Sequence, residues 1–74
     1  MGQRRFIKIN RQNTSIQLER TFWDTIDELS VEAGSWQNWV RQKLKTKPDS
    51  IARASYLRQV AHQAVLNKIQ MHET

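Results

Sequence analysis

The chain has 74 residues, with twelve Lys and Arg, seven Asp and Glu, and no cysteine. Chains this short often need an added stabiliser, and because disulfides and thiolate metal sites are excluded, we expect a second copy of the chain to supply it. No apolar run is long enough for a membrane span or a signal peptide, so we expect a cytoplasmic protein without a membrane partner.

The charges are segregated along the sequence. Residues 1–13 carry four cations and no acid, residues 14–34 carry five acids and one cation, and residues 35–48 carry four cations and no acid. This segregation indicates one basic face, which on a small domain is typical of a site for a polyanion such as a nucleic acid. On charge alone, a basic protein without such a partner is the alternative.

Two short segments near the start alternate between apolar and polar residues. Ile7 and Ile9 share one side of the first segment, and Ile16 and Leu18 share one side of the second, residues 14–19. Period-two alternation predicts strands. The polar residues 10–13 between them could form a turn or continue the extended chain. Because a lone strand is not stable in water, each must pair with its neighbour or with the same strand of another subunit.

Three helices are predicted after the strands. The first runs from about Thr21 to Ala33, with Thr21 as its cap, and Ser35 is the predicted N-cap of the second. Pro48 ends the second helix, and Asp49 or Ser50 caps a third that reaches into the C-terminal region. We therefore divide the chain into a basic N-terminal arm that could include a short strand (1–13), a core (14–46) and a C-terminal helix (47–74).

This order of elements resembles the ribbon-helix-helix superfamily, the Arc, MetJ and CopG type of repressor. The resemblance rests on three segments in order: Thr14-Ser15-Ile16-Gln17-Leu18-Glu19, Phe22-Trp23-Asp24 and Gly34-Ser35. In one branch of the superfamily a basic Arg-x-Val-x-Ile segment comes first, to which Arg5-Phe6-Ile7-Lys8-Ile9 is similar. The resemblance implies a mainly α fold with a short β-ribbon, an intertwined homodimer with an additional C-terminal helix, and a bacterial, plasmid or phage setting.

The resemblance also implies that the polar side of the ribbon enters the major groove of DNA. If Ile16 and Leu18 point into the core, Asn13, Ser15 and Gln17 point away from it and are the expected base contacts. Asn and Gln can form two hydrogen bonds with adenine, and Ser can donate or accept at several base edges. The alternatives are ordinary solvent-facing strand residues, and a ribbon formed instead by residues 6–10, which would place Lys8 and Asn10 in the groove.

Phosphate contacts are expected from the basic arm and from the start of the second helix, whose backbone N–H groups can bind a phosphate oxygen. A plain helix cap and a solvated tail are the alternatives for these two segments. The expected phosphate contacts are Arg4, Arg5, Lys8, Arg11, Ser35, Trp36 and Gln37.

The expected core of the dimer consists of apolar side chains of the ribbon and of the first two helices, because a lone chain would leave the inner side of its strand uncovered. The three tryptophans could stack on bases, but their helical spacing with other apolar residues favours packing. The expected core residues are Ile16, Leu18, Phe22, Trp23, Ile26, Leu29, Trp36, Trp39, Val40 and Leu44.

No motif for catalysis is present, and we expect no enzymatic activity, no metal and no cofactor. The predicted function is sequence-specific transcriptional repression, with double-stranded DNA and a second copy of the chain as partners. An interaction module is the alternative, in which the third helix binds another protein as the C-terminal region of an antitoxin binds its toxin. Its apolar face would include Ala54, Leu57, Ala61 and Ala64. A small helical dimer without DNA activity is the third possibility.

Overall fold

A computed structural model describes the backbone of residues 2–72 and the side chains of residues 2–69. Two strands are followed by three helices: β1 (Gly2–Ile9), β2 (Gln12–Glu19), α1 (Arg20–Leu29), α2 (Trp36–Leu44) and α3 (Arg53–His72). The fold is thus mainly α with a short antiparallel β-ribbon and an additional C-terminal helix, as predicted. No helix in residues 2–72 is long and apolar enough to cross a membrane.

The two strands pair with each other within one chain. Their antiparallel register runs from Gly2 opposite Glu19 to Ile9 opposite Gln12. Asn10 and Arg11 connect the strands with positive φ angles of 50° and 68°, the conformation of a two-residue type I′ hairpin turn. Of the two possibilities left open by the sequence, the polar segment therefore forms a turn.

The inner side of the ribbon is covered by helices of the same chain. Ile16 is 3% exposed and Leu18 is fully buried. Our reason for expecting a dimer, that a lone chain leaves these two residues uncovered, is wrong, because β1 supplies the partner strand and α3 adds Leu57 and Ala61 to the core. All ten expected core residues lie in this core or pack against it within one chain.

The first helix differs from the prediction at both ends. Glu19, not Thr21, occupies the N-cap position, and its side chain makes no capping hydrogen bond. The helix ends at Leu29 instead of Ala33 because the chain turns at Ser30, whose hydroxyl donates to the carbonyl of Asp27 at 3.1 Å. The turn continues to Gly34, where φ is 91°.

The second helix begins as predicted. The hydroxyl of Ser35 accepts a hydrogen bond from the backbone N–H of Asn38 at 3.1 Å, which makes Ser35 the N-cap of α2. By contrast, the third helix begins later than predicted, at Arg53, because the residues after Pro48 form a turn in which the N–H of Ile51 donates to the Pro48 carbonyl at 3.2 Å.

Burial decreases along the third helix. Leu57 and Ala61 in its first half are fully buried, whereas Leu66 and Ile69 in its second half are 39% and 49% exposed. A helix of 20 residues is about 30 Å long, more than the core beside it covers. The second half of α3 therefore leaves an apolar surface uncovered in the single chain.

Candidate nucleic-acid interface

The hairpin has one side on the core and one side on solvent. Cross-strand partners share a side of an antiparallel pair, and four outward pairs are all exposed, of which the last, Gly2–Glu19, carries an acid. We call the six side chains of the other three pairs, Arg4–Gln17, Phe6–Ser15 and Lys8–Asn13, the ribbon face.

The ribbon face combines positive charge with hydrogen-bonding groups. It contains two cations, Arg4 and Lys8, no acid, and the three polar residues that the sequence analysis assigned to base contacts. Arg11 adds a third cation at the exposed tip of the hairpin. A surface of this composition suits a polyanion whose surface also presents hydrogen-bonding groups.

Gln17 lies along the end of the ribbon face. Arg4 Nη2 donates to Gln17 Oε1 at 3.4 Å, a long and therefore weak hydrogen bond. A Cβ atom on Gly2 would come within 2.7 Å of Gln17 Nε2, so the absence of a side chain at residue 2 makes room for the carboxamide. Gln17 is exposed, so a ligand that displaces Arg4 can reach its carboxamide.

The acid nearest to the ribbon face is paired with a cation. Arg58 on α3 donates two hydrogen bonds, of 2.8 and 2.9 Å, to the carboxylate of Glu19 at the end of β2. These hydrogen bonds are the main cause of the lowered pKa of Glu19. Because Glu19 is paired in this way, its negative charge opposes an approaching polyanion less than a free carboxylate would.

Arg5 lies on the inner side of the ribbon, opposite Ile16. Its guanidinium donates to both carboxylate oxygens of Asp27, at 2.7 and 2.9 Å, and lies 4.7 Å from the ring centroid of Trp23 and 5.2 Å from that of Trp36. The hydrogen bonds from Arg5 hold the pKa of Asp27 below its ordinary value. The structure assigns this arginine to the contact between β1 and the first two helices, so we do not carry it into the proposed phosphate contacts.

The start of α2 lies next to β1. The ring of Trp36, the first residue of α2, lies 5.2 Å from the guanidinium of Arg5 on β1 and packs edge to face on Trp23, with ring centroids 5.6 Å apart. Arg41, in the last turn of α2, also contacts β1, where its Nε donates to the carbonyl of Lys8 at 3.0 Å. The first N–H groups of any α-helix have no acceptor within the helix. The backbone of Trp36 and Gln37, with Ser35 as N-cap, therefore offers donors beside the ribbon, and their contact with phosphate remains a prediction.

One residue of the ribbon face was not predicted to be functional. Phe6 is 72% exposed at the centre of β1. The sequence contained a signal for this residue. In the period-two pattern of the first segment, Ile7 and Ile9 share the apolar side, so Phe6 falls on the opposite, polar side. Phe6 is therefore a large apolar side chain exposed beside the residues that are expected to contact DNA.

The second edge of β2 is not paired in the two-stranded sheet. It borders an open groove lined by Ser15, Ile16 and Gln17 on one side and by residues of the segment 47–54 on the other.

Comparison with protein families found that a model described as a ribbon-helix-helix domain matches residues 2–65, which include the ribbon, α1, α2 and most of α3. No curated protein and no solved structure matches the chain.

Proposed function

The chain belongs to the ribbon-helix-helix family, and from this premise we propose that it is a sequence-specific DNA-binding transcriptional repressor. Domains of this family are commonly DNA-binding regulators or antitoxins and are typically non-enzymatic. The observation that supports the proposal most is the ribbon face, whose three exposed pairs carry two cations, three polar side chains and no acid, while the acid of the next outward pair, Glu19, is paired with Arg58.

The dimensions of the ribbon face suit the major groove. Paired strands lie about 4.8 Å apart, and the groove is about 12 Å wide and admits a two-stranded ribbon. Successive residues on one side of a strand are about 6.7 Å apart, so three pairs extend over about 13 Å, or about four base-pair steps. In this placement Asn13, Ser15 and Gln17 contact base edges.

The cations beside these residues contact phosphates that border the groove. Arg4 and Lys8 lie on β1, and Arg11 lies at the hairpin tip. The start of α2, at Ser35, Trp36 and Gln37, adds backbone donors. Contacts of this kind fix the position of the ribbon without reading the sequence.

Arg11 supports a role for the hairpin tip because its conformation is unfavourable. A non-glycine residue in the left-handed region costs about 1–2 kcal/mol, and such strain tends to persist where a side chain is needed. We expect Arg11→Gly to raise the melting temperature and to weaken DNA binding, with the slope of log affinity against log salt reduced by about 0.9 for each lost phosphate contact. Thermal denaturation and salt titration of binding measure the two effects.

Asn10→Gly is the matched control, because Asn10 has a positive φ of 50° and no charge. It should stabilise the turn without changing the salt dependence. If Arg11→Gly leaves the salt dependence unchanged as well, Arg11 does not contact phosphate.

We further propose that the protein is a cytoplasmic homodimer, in keeping with the dimerisation that is usual in its family. Since the core is buried within one chain, we place the dimer contact on an outer surface, at the second half of α3, where two exposed large apolar residues, Leu66 and Ile69, lie three positions apart. We expect Leu66→Ser combined with Ile69→Ser to reduce the molar mass in sedimentation equilibrium from two chains to one. Val31→Ser, which changes an apolar residue that is 76% exposed outside α3, should leave the mass unchanged.

A protein-interaction module of the antitoxin kind is the second candidate, but the face expected for it is not free, because Leu57 and Ala61 are fully buried in the core of their own chain and Ala54 packs against that core. Such a contact would have to use the exposed residues of the second half of α3, Leu66 and Ile69. The mass measurement separates the two. If the wild-type chain sediments as a single chain while it binds DNA, self-association through α3 is contradicted. Binding of another protein is then the role that we infer for this surface.

The proposed function itself is tested by selecting bound sequences from random duplex DNA with the wild-type chain, followed by footprinting. We expect one recurring motif and a protected stretch centred on it. A selected pool without a recurring motif, and binding that disappears near physiological salt for every duplex alike, would contradict sequence-specific recognition.

A further inference from the structure

Phe6 is the feature of the ribbon face that hydrogen bonding and charge do not explain. It occupies the central pair of the face, opposite Ser15, and is 72% exposed. An aromatic side chain left in water does not gain the favourable free energy that its burial would provide. Its neighbours on the strand, Arg5 and Ile7, have partners inside the chain, whereas the ring of Phe6 points away from the core.

The surroundings of Phe6 fit DNA better than a protein interface. On the same side of β1 it is flanked by Arg4 and Lys8, and across the hairpin it faces a serine. The buried centres of protein interfaces are depleted in lysine and in charge generally. A ring with cations beside it on the same strand instead suits a groove that is bordered by phosphates and has base edges at its floor.

The major groove presents a single apolar group to such a ring. Base edges there carry hydrogen-bond donors and acceptors, and only thymine adds a methyl group, at C5. Insertion of the ring between base pairs is a different mode, which is characteristic of proteins that bind the minor groove. A phenyl ring on a major-groove ribbon therefore has the thymine methyl as its complementary partner.

We propose that Phe6 is a specificity-determining residue that contacts the 5-methyl group of a thymine, so that the preferred site contains a thymine where the Phe6–Ser15 pair meets the groove. This inference rests on the proposed function and deepens it. Asn13 and Gln17 read neighbouring base pairs through hydrogen bonds, and Phe6 reads the base pair between them by apolar contact.

The test uses the duplex that the wild-type chain selects, with each thymine replaced in turn by deoxyuridine, which removes the methyl group and keeps the base pair. Loss of one buried methyl contact is expected to weaken binding about fourfold at one thymine of each site, and little at the others. Phe6→Ser should bind the original duplex more weakly and should bind the thymine and deoxyuridine duplexes equally at that position.

Val31→Ser, at an exposed apolar residue in the turn between α1 and α2, is the control and should retain the wild-type discrimination. Because Phe6 is exposed, circular dichroism should show both variants folded. If the wild-type chain binds its selected duplex but no deoxyuridine replacement changes affinity by twofold, or if Phe6→Ser discriminates as the wild type does, the inference is overturned and the proposed function stands. If the wild-type chain selects no duplex, both are overturned.

Discussion

Replacing Trp23 with alanine is expected to destabilise the fold by about 3–5 kcal/mol. Trp23 is fully buried, its Nε1–H donates to the carbonyl of Gln3 at 2.8 Å, and its ring lies against Arg5 and Trp36. At roughly 0.05–0.15 kcal/mol per residue, a chain of 74 residues is stable by only about 4–11 kcal/mol. The variant should therefore lose at least about a quarter of its stability, and at the lower end of this range it should be largely unfolded at 25 °C, which urea denaturation followed by circular dichroism would show.

Two further variants bracket this effect. Trp23→Phe keeps most of the ring packing and loses the hydrogen bond to Gln3, so it should cost about 1–2 kcal/mol. Val31→Ala, at a residue that is 76% exposed, should change stability by less than about 0.5 kcal/mol. An unchanged urea midpoint for Trp23→Ala would contradict the packing of β1, α1 and α2 around this residue.

Removal of the three outward cations of the hairpin should affect DNA binding most. With Arg4, Lys8 and Arg11 all changed to Gln, the slope of log affinity against log salt should fall by about 2.7 for each chain bound. Near physiological salt this corresponds to a loss of affinity on the order of a hundredfold. The fold should remain intact, because none of the three forms an ion pair within the described residues. Fluorescence anisotropy at several salt concentrations gives both quantities.

A single matched pair controls for the overall change in net charge. Lys8→Gln removes one cation from the ribbon face, and Lys68→Gln removes one exposed cation from α3. Only the first should reduce the salt slope. Equal effects of the two variants would show that binding depends on net charge alone and that the ribbon face has no special part in it.

The sequence predicted the order of the elements and most of the core, because both depend on local periodicity, whereas Ile7, Leu57 and Ala61 were not among the expected core residues. Period-two alternation placed Ile16 and Leu18 on the inner side of the ribbon, and the structure buries both. The same alternation placed Asn13, Ser15 and Gln17 outward, where they are exposed. Their contact with DNA remains a prediction.

The pairing of the strands could not be predicted in the same way. Alternation shows which side of a strand is buried but not which strand lies beside it. The pairing of β1 with β2 depends on the tight turn at Asn10 and Arg11, and turns of this type usually contain glycine, which is absent here. Because β1 lies beside β2, the apolar side chains of the two strands are buried within one chain. The expected need for a second chain to cover Ile16 and Leu18 disappears as a result.

The role of Arg5 depends on contacts between residues distant in sequence. Its position in the alternation, in step with Ile7 and Ile9, already indicated the inner side of the strand. Its partners Asp27 and Trp36 are brought to it only by the folding of α1 and α2 against β1. A basic residue in a basic segment therefore looked like a phosphate contact when the sequence was considered alone.

The claim that the outer side of the hairpin reads base sequence is tested most directly with Gln17→Ala, which removes one base-reading side chain and no charge. Gln59→Ala, at an exposed glutamine on α3, is its control. The measurement is the ratio of affinities for the selected duplex and for the same duplex with one base pair changed, taken at one salt concentration. We expect Gln17→Ala to lower this ratio by roughly 5- to 150-fold at one base pair and Gln59→Ala to keep it. A ratio for Gln17→Ala equal to that of the wild type at every base pair would contradict the account.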